Sequence, residues 1–211
     1  MMIRIKICGI TREQDLQAAV NGGAHALGFV FFEKSPRHIT LDQAVVLLKA
    51  VPPFVTVVGL FVNPVADYVR EVLAHVSLDV LQFHGEETPE FCAQFGKPYL
   101  KAVRVKAGVD LLQYASRYHS AQGLLLDAYV EGTHGGTGES FDWALIPPEL
   151  PLPVILSGGL QSGNVAEAVK QVRPYAVDVS SGVEAAKGIK DAAKIAAFIS
   201  EVKRFDIQLS R

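Results

Sequence analysis

Short runs in which nearly every position is apolar, and often β-branched, alternate along this chain with stretches whose apolar residues recur at helical spacing. The short runs fall at 3–8, 26–31, 55–61, 80–83, 99–103, 123–127, 153–156 and 176–179. Unbroken apolarity over so few residues is the pattern of strands buried on both faces, as in parallel sheets. Between them the helical signals are plain. Thr11 and Gln14 have the spacing of a capping box ahead of Leu16, Ala19 and Val20, with Gly22 as a C-terminal stop. Asn164 precedes Val165, Ala168, Val169 and Val172, spaced i, i+3, i+4, i+7. A last helix over about 190–204 buries Ala192, Ile195, Ile199 and Val202 and exposes Lys194, Glu201 and Lys203. Further helices are predicted near 41–51, 64–75, 88–94 and 109–115.

The count is about eight strand–helix units of roughly 26 residues each, a compact version of an α/β barrel. A doubly wound open sheet is the rival arrangement. The alternation runs from end to end with no linker or low-complexity segment, which favours one (β/α)8 TIM barrel domain over residues 1–211. All loops that follow strands then gather on one face, where such barrels keep their chemistry.

Composition narrows the partners. The 211 residues are 49% hydrophobic and 20% charged, with a formal net charge of -2. Such a balance offers no basic excess for nucleic acid or an anionic membrane; an anionic small substrate could still bind, but only at a locally arranged site. Cys8 and Cys92 make neither a disulfide framework nor a metal-ligand spacing, and His25, His38, His75, His119 and His134 share no such spacing either. Cys92 reads as core. Met1 to Cys8 lacks the apolar region and cleavage site of a signal peptide, and the apolar runs are too short to span a bilayer. A cytoplasmic location is expected.

Candidate chemistry sits at the predicted strand ends. Cys8 ends the first strand ahead of Gly9. A lone strand cysteine is ordinarily a small core residue, but at the mouth of a barrel its thiolate can act as nucleophile or base. Lys6 lies on the same side of the strand and deeper; the group that activates the thiol is not evident. Asp127 closes the sixth strand and is a candidate general acid rather than a helix cap, because no helical pattern comes after it. The chain runs instead into a loop containing Gly135-Gly136-Thr137-Gly138, which suits a lid but is no dinucleotide fingerprint. Ser157-Gly158-Gly159-Leu160 after the seventh strand and Ser180-Ser181-Gly182-Val183 after the eighth form a pair of phosphate-type loops. Arg37, in the second loop, is either a surface arginine or a carboxylate clamp. Gln82 and His84 lie two apart at the fourth strand end and could face the mouth together.

Taken in order, these motifs resemble the phosphoribosylanthranilate isomerase family. The matching pieces are KICGIT at 6–11, GFVFFEKSPR at 28–37, VGLFVN at 58–63, LQFHGEE at 81–87, GLLLDAY at 123–129, GGTGESFDW at 135–143, ILSGGL at 155–160 and AVDVSSGVE at 176–184. The resemblance implies an Amadori rearrangement of an aminosugar phosphate in tryptophan biosynthesis, with neither metal nor organic cofactor. It implies Asp127 as general acid toward the ribose ring oxygen and Cys8, as thiolate, as general base toward the neighbouring sugar carbon. Arg37 would clamp the anthranilate carboxylate. Gly158, Gly159, Ser181 and Gly182 would cradle the phosphate. Gln82, His84 and Asp178 would complete the substrate site, Asp178 without an assigned step. The assembly stays open between monomer and homodimer. Two other readings compete. A different phosphosugar barrel, such as indole-glycerol-phosphate synthase or a histidine-pathway isomerase, is disfavoured by Cys8, since the latter pattern uses two aspartates. A non-catalytic phosphate-binding barrel would need the Ser-Gly loops but not Cys8 and Asp127 together.

Overall fold

A computed structural model describes residues 2–128 and 141–209, with side chains through 205. Eight parallel strands close into a barrel in sequence order. They are β1 (Arg4–Cys8), β2 (Ala26–Val30), β3 (Thr56–Phe61), β4 (Val80–Phe83), β5 (Tyr99–Val105), β6 (Gly123–Ala128), β7 (Val154–Leu156) and β8 (Ala176–Val179). Closure is made by β1, which pairs with β2 on one side and with β8 on the other, Lys6 lying opposite Asp178. All eight predicted strands are present. The glycine-rich stretch at 135–138 lies outside the described residues.

Around the barrel run α1 (Glu13–Gly22), α2 (Leu41–Leu47), α3 (Ala66–His75), α4 (Pro89–Ala93), α5 (Leu111–Arg117), α6 (Val165–Val172) and α7 (Ala192–Leu209). Strand alternation decides what the two sides of the wall do. Ile5 and Ile7 of β1, Leu81 and Phe83 of β4, and Val177 and Val179 of β8 belong to the large apolar cluster shared with helix residues such as Leu16, Val69, Val169 and Ile199. Leu124 and Leu126 of β6 pack with Leu111 and Ala115 of α5. The opposite parity faces the barrel interior, where Ala102, Leu125, Ile155 and Ala176 form a small plug. Lys6, Cys8, Gln82, Asp127 and Asp178 all carry this inward parity.

Three local expectations are corrected. Thr11 and Gln14 form no capping box: the α1 N-cap is Arg12, without a side-chain cap. The Thr11 hydroxyl instead donates to the Gly188 carbonyl at 2.6 Å. Gly22 does not stop α1, which ends when Gly23 takes a left-handed conformation (φ 95°) and caps it. The last helix begins at Ala192, because 184–190 form a hairpin of β9 (Glu184–Ala186) and β10 (Ile189–Lys190). The Asp191 side chain caps α7, accepting from the Ala193 and Lys194 amides, so Ala192 is exposed rather than buried. After β6 the first described helical segment is one 3-10 turn, Trp143–Leu145. Among the described residues no helix is long and apolar enough to cross a membrane.

Candidate active site

Parity and strand length bring the inward polar side chains to one end of the barrel. At the close of β1, Cys8 is buried, with 4% of its surface exposed. Two residues deeper, the Lys6 ammonium donates to Asp178 Oδ1 of β8 at 2.8 Å, a pair whose side chains are 5% and 6% exposed. Ser157 of the β7 loop reaches the other Asp178 oxygen at 3.4 Å. Burial works against the Lys6 charge, but Asp178 and the neighbouring sulfur outweigh it, and the ammonium is held above its ordinary range. Burial pushes the Cys8 thiol up, with Lys6 as the main opposing pull. Lys6 is therefore the cation that sequence reading left undecided. Gly28 of β2 makes room for both: a Cβ there would stand 2.7 Å from the Cys8 sulfur and 3.1 Å from the Lys6 nitrogen.

Across the mouth, Asp127 near the end of β6 is also buried. Its Oδ1 accepts from the Ala128 amide at 2.9 Å, and its Oδ2 lies 3.1 Å from His84 Nε2. His84 Nδ1 in turn lies 3.1 Å from Gln82 Nε2. Gln82 and His84 thus do share a side of β4, but only His84 reaches the mouth. Gln82 lies deeper, 0% exposed. Behind His84, Glu87 and Lys101 form an ion pair at 2.9 Å, both side chains 2% exposed. Glu87 accepts from the Asn63 and Gly85 amides, while Lys101 donates to the Gly85 carbonyl. This buried pair fixes the chain that leaves β4 and thereby the base of His84.

A third group joins the second loop to the eighth. Arg37 is buried rather than a surface arginine; its Nε and Nη2 donate to the two oxygens of Glu184 at 2.7 and 2.9 Å. Lys190 donates to Glu184 Oε1 at 3.0 Å and to the Ser180 carbonyl at 3.0 Å. The Ser180 hydroxyl donates to the Cys8 carbonyl at 3.0 Å. Burial alone would raise the Glu184 carboxyl, but Arg37 and Lys190 hold it below its ordinary value. Burial lowers Lys190, against the pull of Glu184. Sequence reading did not single out Glu184 and Lys190, which bond to Arg37 and Ser180 here. Glu184 lay inside a recognised motif, and Lys190 was hidden by its assignment to a helix.

The two Ser-Gly loops interlock. Gly158 (φ 81°) and Gly159 (φ 61°) take left-handed conformations that glycine adopts without strain. A Cβ on Gly158 would press on the Ala128 amide at 2.6 Å and stand 3.2 Å from Asp127 Oδ1. A Cβ on Gly182 would collide with the Leu160 carbonyl oxygen. Ser181 and Gly182 start a 3-10 turn, Ser181–Val183. The turn after β7 thus lies against Asp127, while the turn after β8 reaches Cys8 through Ser180. Among the described residues no three His, Cys, Asp or Glu side chains cluster as metal ligands.

Chemically, the mouth holds a thiol beside a cation on one side and a carboxyl group bonded to an imidazole on the other. Between them lie glycine turns with backbone amides able to meet an anion. Comparison with known proteins points the same way. The family model for N-(5'-phosphoribosyl)anthranilate isomerase matches residues 5–201. A protein of that name from Thiobacillus denitrificans is 64% identical over 203 residues, covering 96% of this chain and 99% of the relative. The crystal structure of phosphoribosyl anthranilate isomerase from Thermotoga maritima superposes with a TM-score of 0.88 at 41% identity, covering 96% of this chain and 100% of that one. Another structure describes monomers generated from the dimeric Thermotoga maritima enzyme; it has a TM-score of 0.83 and 38% identity, covering 96% and 100%. A structure of such an isomerase in complex with reduced 1-(o-carboxyphenylamino)-1-deoxyribulose 5-phosphate matches with a TM-score of 0.85 and 41% identity, over 96% of this chain and 100% of the other.

Proposed function

The chain belongs to the N-(5'-phosphoribosyl)anthranilate isomerase family, and on that premise we propose how its own residues carry the reaction. The protein is an isomerase of tryptophan biosynthesis that rearranges N-(5'-phosphoribosyl)anthranilate to 1-(carboxyphenylamino)-1-deoxyribulose phosphate. The observation that best supports the assignment of roles is the pairing of Cys8 beside Lys6 with Asp127 beside His84 across one barrel mouth.

Asp127 gives its proton to the ribose ring oxygen as the bond from that oxygen to the first sugar carbon breaks. The anthranilate nitrogen supplies the electron pair, and the opened sugar is an iminium. Cys8, as thiolate, removes the proton from the second carbon. That pair of electrons forms the carbon–carbon double bond of an enolamine and neutralises the nitrogen. The enolamine then tautomerises to the ketone. A general acid or base of this kind contributes about 10²–10⁴ in rate. The Lys6 ammonium favours the thiolate electrostatically, against the burial that disfavours it. Arg37 clamps the anthranilate carboxylate from a guanidinium plane fixed by Glu184. Ser181 and the glycines at 158, 159 and 182 present backbone amides to the phosphate.

Acid–base chemistry alone balances this sequence of steps, so the reading calls for no metal or organic cofactor. Residues 1–211 act as one catalytic domain on a small phosphosugar, as a monomer or a homodimer. A reducing, cytoplasmic setting suits a mechanism that needs Cys8 as a free thiol. Two measurements test the reading. Turnover of freshly prepared substrate must be observed. Phosphate titration must move the backbone amide NMR signals of 157–160 and 180–183; shifts confined to other loops would remove those turns from the site.

A further inference from the structure

Gln82 is a buried polar side chain of the barrel interior that the isomerisation steps do not use. Gln82 is 0% exposed and sits beneath His84. Its Nε2 lies 3.1 Å from His84 Nδ1, and its Oε1 has no hydrogen-bond partner among the described residues. A leucine or methionine would fill this space without an orphaned oxygen, and buried polar groups are normally paired. The amide nitrogen is therefore the end that matters.

An amide N–H only donates, so Nδ1 of His84 must present its lone pair. A neutral imidazole then carries its proton on Nε2, and Nε2 lies 3.1 Å from Asp127 Oδ2. In the opposite tautomer a bare Nε2 would compete with the ring oxygen for the Asp127 proton, and once that proton had left it would face the carboxylate lone pair against lone pair. We propose that Gln82 is a positioning residue for the isomerisation: by donating to Nδ1 it holds His84 in the Nε2–H tautomer. That N–H orients the Asp127 carboxyl and stabilises the carboxylate left when its proton passes to the ring oxygen. The proposal rests on the assignment of Asp127 as the acid.

Among the described residues the neighbouring groups are engaged elsewhere. From β5, Arg104 lies opposite Asp127 in register but pairs with Glu86. Behind β4, the Lys101 and Glu87 charges are bonded to each other. The β7 turn brings Gly158, which carries no charge, against Asp127. On the opposite side of the mouth, Lys6 is paired with Asp178, and Cys8 lies beside Lys6.

The test uses the full-length protein with ¹⁵N-labelled histidine and two variants. In the wild type, the His84 ring signals must show a protonated Nε2 and a bare Nδ1. Gln82→Met keeps the length and apolar bulk but has no donor, so the ring becomes a mixture of tautomers. Its kcat falls about tenfold, a part of what a general acid supplies, with KM unchanged. Gln82→Glu accepts from Nδ1, so a proton appears on Nδ1 and the pH profile of kcat moves. A wild-type His84 protonated on Nδ1 alone overturns the proposal, and this result needs no variant to fold. So does a folded Gln82→Met with the wild-type tautomer and kcat. Asp127→Asn separates the layers: if it retains turnover, the acid assignment fails. If it loses turnover while Gln82→Met changes nothing, only the role of Gln82 fails.

Discussion

Replacing Lys6 with methionine removes the cation hydrogen-bonded to Asp178 and leaves that carboxylate buried, 4% exposed, with the Ser157 hydroxyl at 3.4 Å. Breaking a buried pair from one side costs about 3–5 kcal/mol, because a charge is left without a partner. Lys6→Met should therefore lose about that much in urea unfolding. Adding Asp178→Asn removes the stranded charge and should recover the greater part. Activity should behave differently. Lys6 is the main pull on the Cys8 thiol toward its charged form, and at an effective dielectric of about 20 a close ammonium–thiolate pair is worth on the order of 3 kcal/mol, a factor of about 10² in thiolate population. Single-turnover rates near neutrality should fall about 10²-fold in the double variant and further in the single one, where the unpaired Asp178 carboxylate also opposes the thiolate. They should climb toward the wild-type rate as rising pH forms the thiolate without the cation. Urea titration and pH-resolved single turnover on the same preparations separate the two effects. A double variant that regains stability and also turns over at the wild-type rate would refute the role given to Lys6.

The geometry sets two further outcomes. Gly28→Ala would bring a methyl group 2.7 Å from the Cys8 sulfur and 3.0 Å from the Cys8 Cα; overpacking of this kind costs about 1–3 kcal/mol, and displacing the sulfur should lower kcat with little change in KM, read by steady-state kinetics beside urea unfolding. The Glu184 carboxyl is held below its ordinary value of 4.5, so its contribution to stability is present above that pH and is lost as pH falls through the lowered value; wild type and Glu184→Gln should differ near neutrality and converge in acid when unfolding is tracked across pH.

The barrel was legible because parallel strands buried on both faces leave unbroken apolar runs. β4 and β8 match their predicted bounds residue for residue. Candidate residues at strand ends were legible for a related reason. Parity is periodic, so Lys6 and Cys8, or Gln82 and His84, must share a side once the strand is known. What periodicity could not supply was the partner from another strand. That Lys6 meets Asp178 depends on how β1 and β8 close the barrel, 172 residues apart in sequence. That Gln82 stops short of the mouth depends on depth along β4. The β9–β10 hairpin was hidden because two-residue and three-residue strands carry too little pattern to compete with the strong helical signal of α7. The same hairpin took the Thr11 hydroxyl, which local spacing had assigned to a capping box.

The central claim is that Cys8 and Asp127 divide the two proton transfers between them, and single-turnover kinetics of Cys8→Ser tests it most directly, with Asp127→Asn as its counterpart. Serine keeps the shape but is far harder to deprotonate than a thiol, and asparagine has no carboxyl proton to give. Both variants should fold and bind inorganic phosphate as the wild type does, while the chemical step slows by about 10²–10⁴. A Cys8→Ser protein that rearranges bound substrate at the wild-type rate would contradict the account and return Cys8 to the barrel wall as a packing residue.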